Sequence, residues 1–184
     1  VPFTFRQLDL PGVVLIESRV FPDSRGAFLE AYQRAIFAEH GVAGPFVQDN
    51  VSISRQGVLR GLHYQKQPAA QAKLVLVVSG EIFDVAVDIR KGSPTYGRSV
   101  GALLKAGNLM FVPTGFAHGF LVTSTEATVL YKTTAEYAPE LERGIRWDDP
   151  ALKIDWPVPF PQLNARDAGL PGLADADNNF VYSK

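Results

Sequence analysis

The sequence predicts an all-β fold, a sandwich or barrel with short flanking helices. Three observations carry that expectation. Short runs of β-branched and aromatic residues recur along most of the chain. Turn formers, 16 Gly and 13 Pro, interrupt them too often for long helices. Only one segment reads as a helix.

The elements follow in order. Val13 to Ser18 reads as a strand. Phe46 to Ser54 is a second, in which Val47, Val51 and Ile53 share one parity and Gln48, Asn50 and Ser52 the other. Alternation of this kind puts the polar set on one face of a sheet. Arg34 to His40 is the helix, closed by Gly41 beyond its C-terminus. Val58 to Gln65 is a third strand. Lys73 to Val78 and Glu81 to Arg90 read as a hairpin across Ser79-Gly80. Arg98 to Leu104, Leu109 to Val112, Ala117 to Thr123 and Ala127 to Thr134 continue the strand pattern. The segment from Trp147, rich in Pro and Asp, is expected to wrap the barrel with short helical turns. Residues 1–184 are thus read as one domain, with a core of about 13–134 and a C-terminal tail over 147–184.

Composition narrows the function. The 18 Lys+Arg nearly balance the 19 Asp+Glu, so no bulk charge points to nucleic acid or an anionic membrane surface. An anionic ligand would have to meet a local cluster of cations. Without cysteine there is no disulfide, thiolate metal site or Cys nucleophile. The longest apolar run in the sheet region, Leu74 to Val78, is too short to span a bilayer. The opening V-P-F-T-F-R-Q-L-D-L-P-G lacks the basic and apolar regions of a leader. A cytoplasmic protein is expected.

Histidine is scarce: His40, His63 and His118. His40 ends the expected helix, where a structural or exposed role suits it. The other two lie in G-V-L-R-G-L-H-Y-Q (Gly57 to Gln65) and G-N-L-M-F-V-P-T-G-F-A-H-G-F (Gly107 to Phe120). These frames resemble the two motifs of the cupins, a jelly-roll class. The second lacks the usual later Asn, with Val122 in its place. Metal-binding cupins use two His and a Glu from the first motif and a His from the second. Here His63 and His118 are kept, but Gln65 and Lys73 fill the other two positions. A cation among the ligands would repel a metal ion, so neither metal nor other cofactor is expected.

The same residues suit metal-free proton transfer. A neutral imidazole at His63 can take a proton near neutral pH. A lysine cation at Lys73 can face a developing oxyanion. Inversion needs an acid on the other side, for which the Tyr131 phenol is a candidate. A base histidine needs an orienting carboxylate, and Asp167, Asp84 and Asp88 all compete for that place.

Several further segments resemble one family within the cupins, the dTDP-4-dehydrorhamnose 3,5-epimerases. They are F-P-D-S-R-G from Phe21, Q-D-N-V-S-I-S from Gln48, D-V-A-V-D-I-R-K-G-S-P-T-Y-G from Asp84, F-V-P-T-G-F-A-H-G-F from Phe111 and W-D-D-P from Trp147. The resemblance implies a cupin-type jelly-roll barrel and a catalytic set of His63 as base, held by Asp167, with Tyr131 as acid and Lys73 at the enolate oxygen. It also implies substrate contacts from Arg25, Glu30, Gln48, Asn50, Arg60, His118, Glu142 and Arg166. Phe21, Phe28 and Tyr137 would stack or pack on the nucleoside. The implied substrate is a dTDP-linked 4-keto-6-deoxyhexose. Inversion at C3 and C5 would give dTDP-4-keto-L-rhamnose for dTDP-L-rhamnose synthesis. The family is usually homodimeric, with part of the N-terminal segment reaching the partner's site. Two departures stand out: Arg166 where the family often has Lys, and Asn164 where Ser is common. Strict alternation would also put Arg60 and His63 on opposite faces unless Gly61 marks a bulge. Three rivals remain at this stage: an epimerase acting at one carbon only, a non-catalytic sugar-nucleotide-binding cupin, and a metal-dependent cupin isomerase or dioxygenase.

Overall fold

In the computed structural model, which describes residues 2–183, two antiparallel sheets face each other across an apolar core. In chain order the strands are β1 (Phe3–Gln7), β2 (Val14–Ser18), β3 (Val20–Asp23), β4 (Gly26–Leu29) and β5 (Gln48–Arg55). They continue with β6 (Leu59–Gln65), β7 (Lys73–Ser79), β8 (Glu81–Asp88) and β9 (Ser99–Lys105). The last four are β10 (Asn108–Val112), β11 (Phe116–Val122), β12 (Glu126–Thr133) and β13 (Glu142–Gly144). One sheet has the order β1-β2-β10-β7-β12-β5 and the other β13-β6-β11-β8-β9. The fold is a cupin-type jelly roll, in agreement with the all-β expectation.

Each wall contributes its inward residues to the core between the sheets. Leu15, Val75, Val77, Met110 and Val129 come from the six-stranded wall. Ile82, Ala86, Leu104, Phe116, Phe120 and Val122 come from the five-stranded wall. The outer faces are covered as well, so the central strands are nearly continuous in apolar residues. Helix α1 (Arg34–Glu39) plugs Phe37, fully buried, against the outer face of the six-stranded sheet with Ile16, Leu74 and Phe111. Gly41 follows it with φ +80, the left-handed closure expected there. His40 donates from Nδ1 to the Ile36 carbonyl at 2.8 Å and stacks on Phe5, a structural role. The C-terminal tail packs Leu152, Leu173 and Phe180 on the outside of the five-stranded sheet. It does so with two short turns, α2 (Ala165–Ala168) and a 3₁₀ turn at Leu173–Asp175.

The expected hairpin across Ser79-Gly80 is not a hairpin. β7 and β8 lie in different sheets, so the chain crosses from one wall to the other at that turn. A Cβ on Gly80 would stand 2.1 Å from the Glu126 carbonyl oxygen, so the turn passes hard against the start of β12. A Ser-Gly signal reports that the chain reverses, but not which strand receives it. β1, the β3–β4 hairpin and β13 are additions to the expected elements.

β5 is an edge strand with its polar set turned inward. Gln48, Asn50 and Ser52 are half-buried, whereas Val51 and Ile53 are 62% and 63% exposed. The inner wall is polar there because it borders a cleft rather than the core.

The pairing of β6 with β11 contains the irregularity that the site needs. His63 opposes His118, and Arg60 opposes Phe120, so three steps on β6 meet two on β11. The extra residue is a bulge, and it lets Arg60 and His63 line the same cavity. Gly61 sits in it with φ +126, and a Cβ there would meet Gly119 Cα at 2.6 Å. Both the backbone angle and the contact exclude a side chain. Gly61→Ala is therefore expected to cost about 1–3 kcal/mol, read as a lower urea midpoint, with activity falling alongside.

Candidate active site

The cleft lies between the two walls and has a volume of about 390 Å³. The five-stranded wall supplies Arg60 and His63 from β6, His118 and Phe120 from β11, and Glu142 from β13. The six-stranded wall supplies Lys73 from β7, Tyr131 from β12 and Ser52 from β5. The tail closes one side with Asn164, Arg166 and Asp167.

Asp167 is 2% exposed and has both oxygens engaged. His63 Nε2 donates to Oδ1 at 2.7 Å, and the Gly61 amide donates to Oδ2 at 3.1 Å. Its own amide donates to the Asn164 side chain at 2.7 Å, capping α2. Burial pushes the Asp167 carboxyl up, but the bonds from His63 and Gly61 and the charge of Arg166 outweigh it and hold it below the usual range. An ionised carboxylate only accepts, so Nε2 carries the hydrogen and Nδ1 of the neutral ring is free to take a proton.

The three carboxylates that competed for His63 are now separated. Asp84 bonds His118 Nε2 at 2.6 Å instead. Asp88 is held by Arg90, Ser93 and Thr95 in a turn.

Lys73 and Tyr131 share the opposite wall. Burial pulls the Lys73 ammonium down to about 8, with Glu142 and Asp84 pulling the other way. The Tyr131 phenol is pushed up by burial, opposed by Arg60 and assisted by Glu142, so it stays a neutral donor. Glu142 itself is pushed up by burial. The hydrogen bonds from Tyr137 at 2.7 Å and Arg166 at 2.8 Å overcome this and leave it below its usual range. Arg60 Nε is steered by Ser54 Oγ at 3.0 Å.

Gln48 and Asn50 continue the inner wall beside Tyr131, which pairs directly with Asn50. Gln48 donates to Asn50 at 2.9 Å and accepts from the Tyr137 amide at 2.9 Å, joining Tyr137 to this rim. Arg25, Glu30, Phe21 and Phe28 are not brought to the cleft of their own chain. F-P-D-S-R-G forms the exposed turn of the β3–β4 hairpin, where Arg25 is paired with Asp23 at 2.6 Å. Ser54 and Phe120 are further site residues, and Asn164, a departure from the family pattern, is a third. Only Asn164 had a legible signal, as an N-cap three residues before Asp167.

The site does not fit a divalent metal. Gln65 spends its amide on the backbone of Ala69, Glu136 and Ala138, and Lys73 takes a ligand position. Among the described residues no cluster of three His, Cys, Asp or Glu is placed to hold one.

The sequence model of the dTDP-4-dehydrorhamnose 3,5-epimerase family matches residues 7–175. The chain belongs to this family. The match runs through every strand that lines the cleft and through α2. A Pseudomonas aeruginosa dTDP-4-dehydrorhamnose 3,5-epimerase is 54% identical over 177 residues, covering 93% of this chain and 96% of that one. The crystal structure of a Legionella pneumophila 3,5-epimerase in complex with dTDP-4-keto-L-rhamnose superposes with a TM-score of 0.94 at 44% identity. That match covers 99% of this chain and 100% of that one. A 3′-monoepimerase from Streptomyces bikiniensis, in complex with dTDP-quinovose, shares the fold at 35% identity and a TM-score of 0.85. Coverage there is 91% and 86%.

The depressed lysine in this epimerase-family cleft has a consequence for stability. In the folded protein Lys73 releases its proton at about 8, against 10.5 when free. Between those values the unfolded chain binds the extra proton, so stability rises with pH. The full penalty applies below this window and is relieved as pH rises through it. The gain amounts to about 3 kcal/mol at most, before the buried tyrosines, held above their usual range, reverse the trend. Urea midpoints taken at pH ~7 and ~9.5 should show this rise in the wild type and its loss in Lys73→Met.

Proposed function

We propose that this epimerase-family chain inverts C3 and C5 of a dTDP-linked 4-keto-6-deoxy-D-glucose through enolate intermediates, giving dTDP-4-keto-L-rhamnose for dTDP-L-rhamnose synthesis. One observation carries the reading. His63 stands on the five-stranded wall, held by Asp167 of the tail, and Lys73 and Tyr131 stand on the other wall, across a single cleft. Inversion requires a proton to leave from one face and return to the other, and two walls provide that.

The C4 ketone acidifies the hydrogens on C3 and C5. His63 Nδ1 takes one of them, and Asp167 stabilises the imidazolium that results. The enolate oxygen meets the Lys73 ammonium, a charge kept out of bulk water. Tyr131 returns a proton from the opposite side, and the cycle repeats at the second carbon. Arg60 and Arg166 suit the diphosphate, since guanidinium forks match phosphate oxygens, and His118 adds an imidazole donor to the same cleft. Gln48, Asn50, Glu142 and Tyr137 suit the nucleoside and sugar at the rim. Identity above one half to a named 3,5-epimerase supports inversion at two carbons rather than one.

The working unit in this reading is a homodimer of single-domain chains in the cytoplasm. Val47, Val51 and Ile53 form an apolar outer stripe on an edge strand, with Phe21 and Phe28 exposed on the projecting hairpin. A second copy covering these surfaces would be reached by Arg25, Glu30, Phe21 and Phe28 of the first. Among the described residues no helix is long and apolar enough to cross a membrane.

Proton NMR of dTDP-4-keto-6-deoxy-D-glucose incubated with the protein in D₂O tests the proposal. Deuterium should enter at both C3 and C5. His63→Ala should remove both exchanges, and Tyr131→Phe should lower the rate of inversion by roughly 10²–10⁴ with the fold intact. Normal inversion by Tyr131→Phe would overturn the acid assignment. Exchange at one carbon would make the protein a mono-epimerase, and exchange at none would leave a binding role.

A further inference from the structure

Asp84 has no solvent exposure, and only one of its oxygens has a partner. Oδ1 accepts from His118 Nε2 at 2.6 Å, while Oδ2 is buried without a hydrogen bond among the described residues. A buried carboxylate left half-served is costly, and such a group in a native structure calls for a reason. Holding the imidazole is not a sufficient one. A neutral amide oxygen at the same place would also accept the Nε2 hydrogen and hold the ring, though more weakly. What a carboxylate adds is charge.

The surroundings show where that charge is felt. Asp84 lies on β8 beside β11, behind His118 as seen from the cleft. Lys73 enters the cleft from β7 on the other wall, within reach of the electrostatic pull of both Glu142 and Asp84. Glu142, on β13, is the stronger of the two, but Arg166 already pairs with it. The other titratable or charged groups lining the cleft are the cation Arg60, the imidazoles His63 and His118, the phenol Tyr131 and the engaged carboxylate Asp167. Asp84 is therefore the anion near Lys73 with no cationic Lys or Arg partner of its own among the described residues.

We propose that Asp84 is a positioning residue for the reaction: it turns the Nδ1 edge of His118 toward the cleft, and its unshared charge keeps Lys73 an ammonium. The His63–Asp167 pair orients the base, and the His118–Asp84 pair beside it sets the charge of the opposite wall. The catalytic consequence rests on the enolate reading above, whereas the charge coupling can be measured without any substrate.

Two readouts on the full-length protein test this. In protein carrying ¹³Cε-lysine, the Lys73 resonance, assigned by its absence in Lys73→Arg, should titrate in Asp84→Asn at a pH lower by on the order of one unit. The alkaline limb of solvent deuterium exchange into the 4-keto sugar should move down with it. Asparagine keeps an acceptor for His118, so a merely structural Asp84 would lower thermal stability and leave both pH values where they were. That result would overturn the proposal. If Asp84→Asn fails to fold, ¹⁵N spectra of the wild-type histidines decide the matter. A His118 ring protonated at Nε2 supports the pairing, and one without hydrogen there refutes it. A wild-type protein that exchanges no deuterium would defeat the epimerase reading, while the lysine midpoint would still judge Asp84 alone.

Discussion

The clamp at Asp167 is the contact on which the rest of the site depends. One oxygen receives the ring of His63 and the other receives the amide of Gly61, the residue at which β6 bulges. The carboxylate thus fixes at once the orientation of an imidazole and the path of the strand that carries it. Without the bulge, alternation would send Arg60 out of the cavity that His63 lines. The bulge in turn exists because Gly61 and Gly119 have no side chains to hold β6 and β11 apart. The carboxylate arrives from the tail, far along the chain, on a short turn capped by Asn164. A single buried group ties together the barrel wall, its irregularity and the C-terminal wrap.

The barrel divides its interior between two solvents. The main core is filled by aliphatic and aromatic side chains from both sheets. The cleft collects charged and polar groups that the core could not accept. Burying Lys73 and Asp167 there, with Asp84 behind His118, opposes stability, and the apolar layers on both outer faces offset it. α1 covers one outer face and the tail covers the other. That arrangement sets Tyr131 and His63 on packed strands, and such elements hold a site's groups more precisely than loops do.

The edge of the six-stranded sheet departs from this economy of burial. β5 turns its polar side chains to the cleft and its valine and isoleucine to the outside, and the β3–β4 hairpin stands clear of its own barrel. Apolar surface of this kind on an edge strand invites a partner strand or face. The same strand that lines the cleft with Asn50 and Ser52 therefore bears the surface on which a second chain would sit. Assembly and ligand binding would then share one element, with the exposed hairpin supplying what the single chain's cleft lacks at its rim.

Much of this is legible in the amino-acid sequence. Strand alternation and dense turns determined the all-β class. The spacing of His63, Gln65, Lys73 and His118 made proton transfer without a metal the expectation, because each substitution at a ligand position changes what the site can bind. Tertiary structure alone decided which strands pair. Ser79-Gly80 looks like a hairpin turn locally, yet β7 and β8 belong to different walls. Residue chemistry left the three candidate carboxylates equal and only the family resemblance favoured Asp167; the tertiary structure pairs Asp167 with His63 and gives Asp84 to His118. It also left Arg25, Glu30, Phe21 and Phe28 outside the cleft of their own chain. The physical reason is one of range. Side-chain period, turn preference and ligand chemistry are properties of neighbouring residues. Pairing, burial and the partner of a charge depend on groups far along the chain, 34 residues apart for Asp84 and His118 and 104 for His63 and Asp167, which only the closed barrel brings within hydrogen-bond distance.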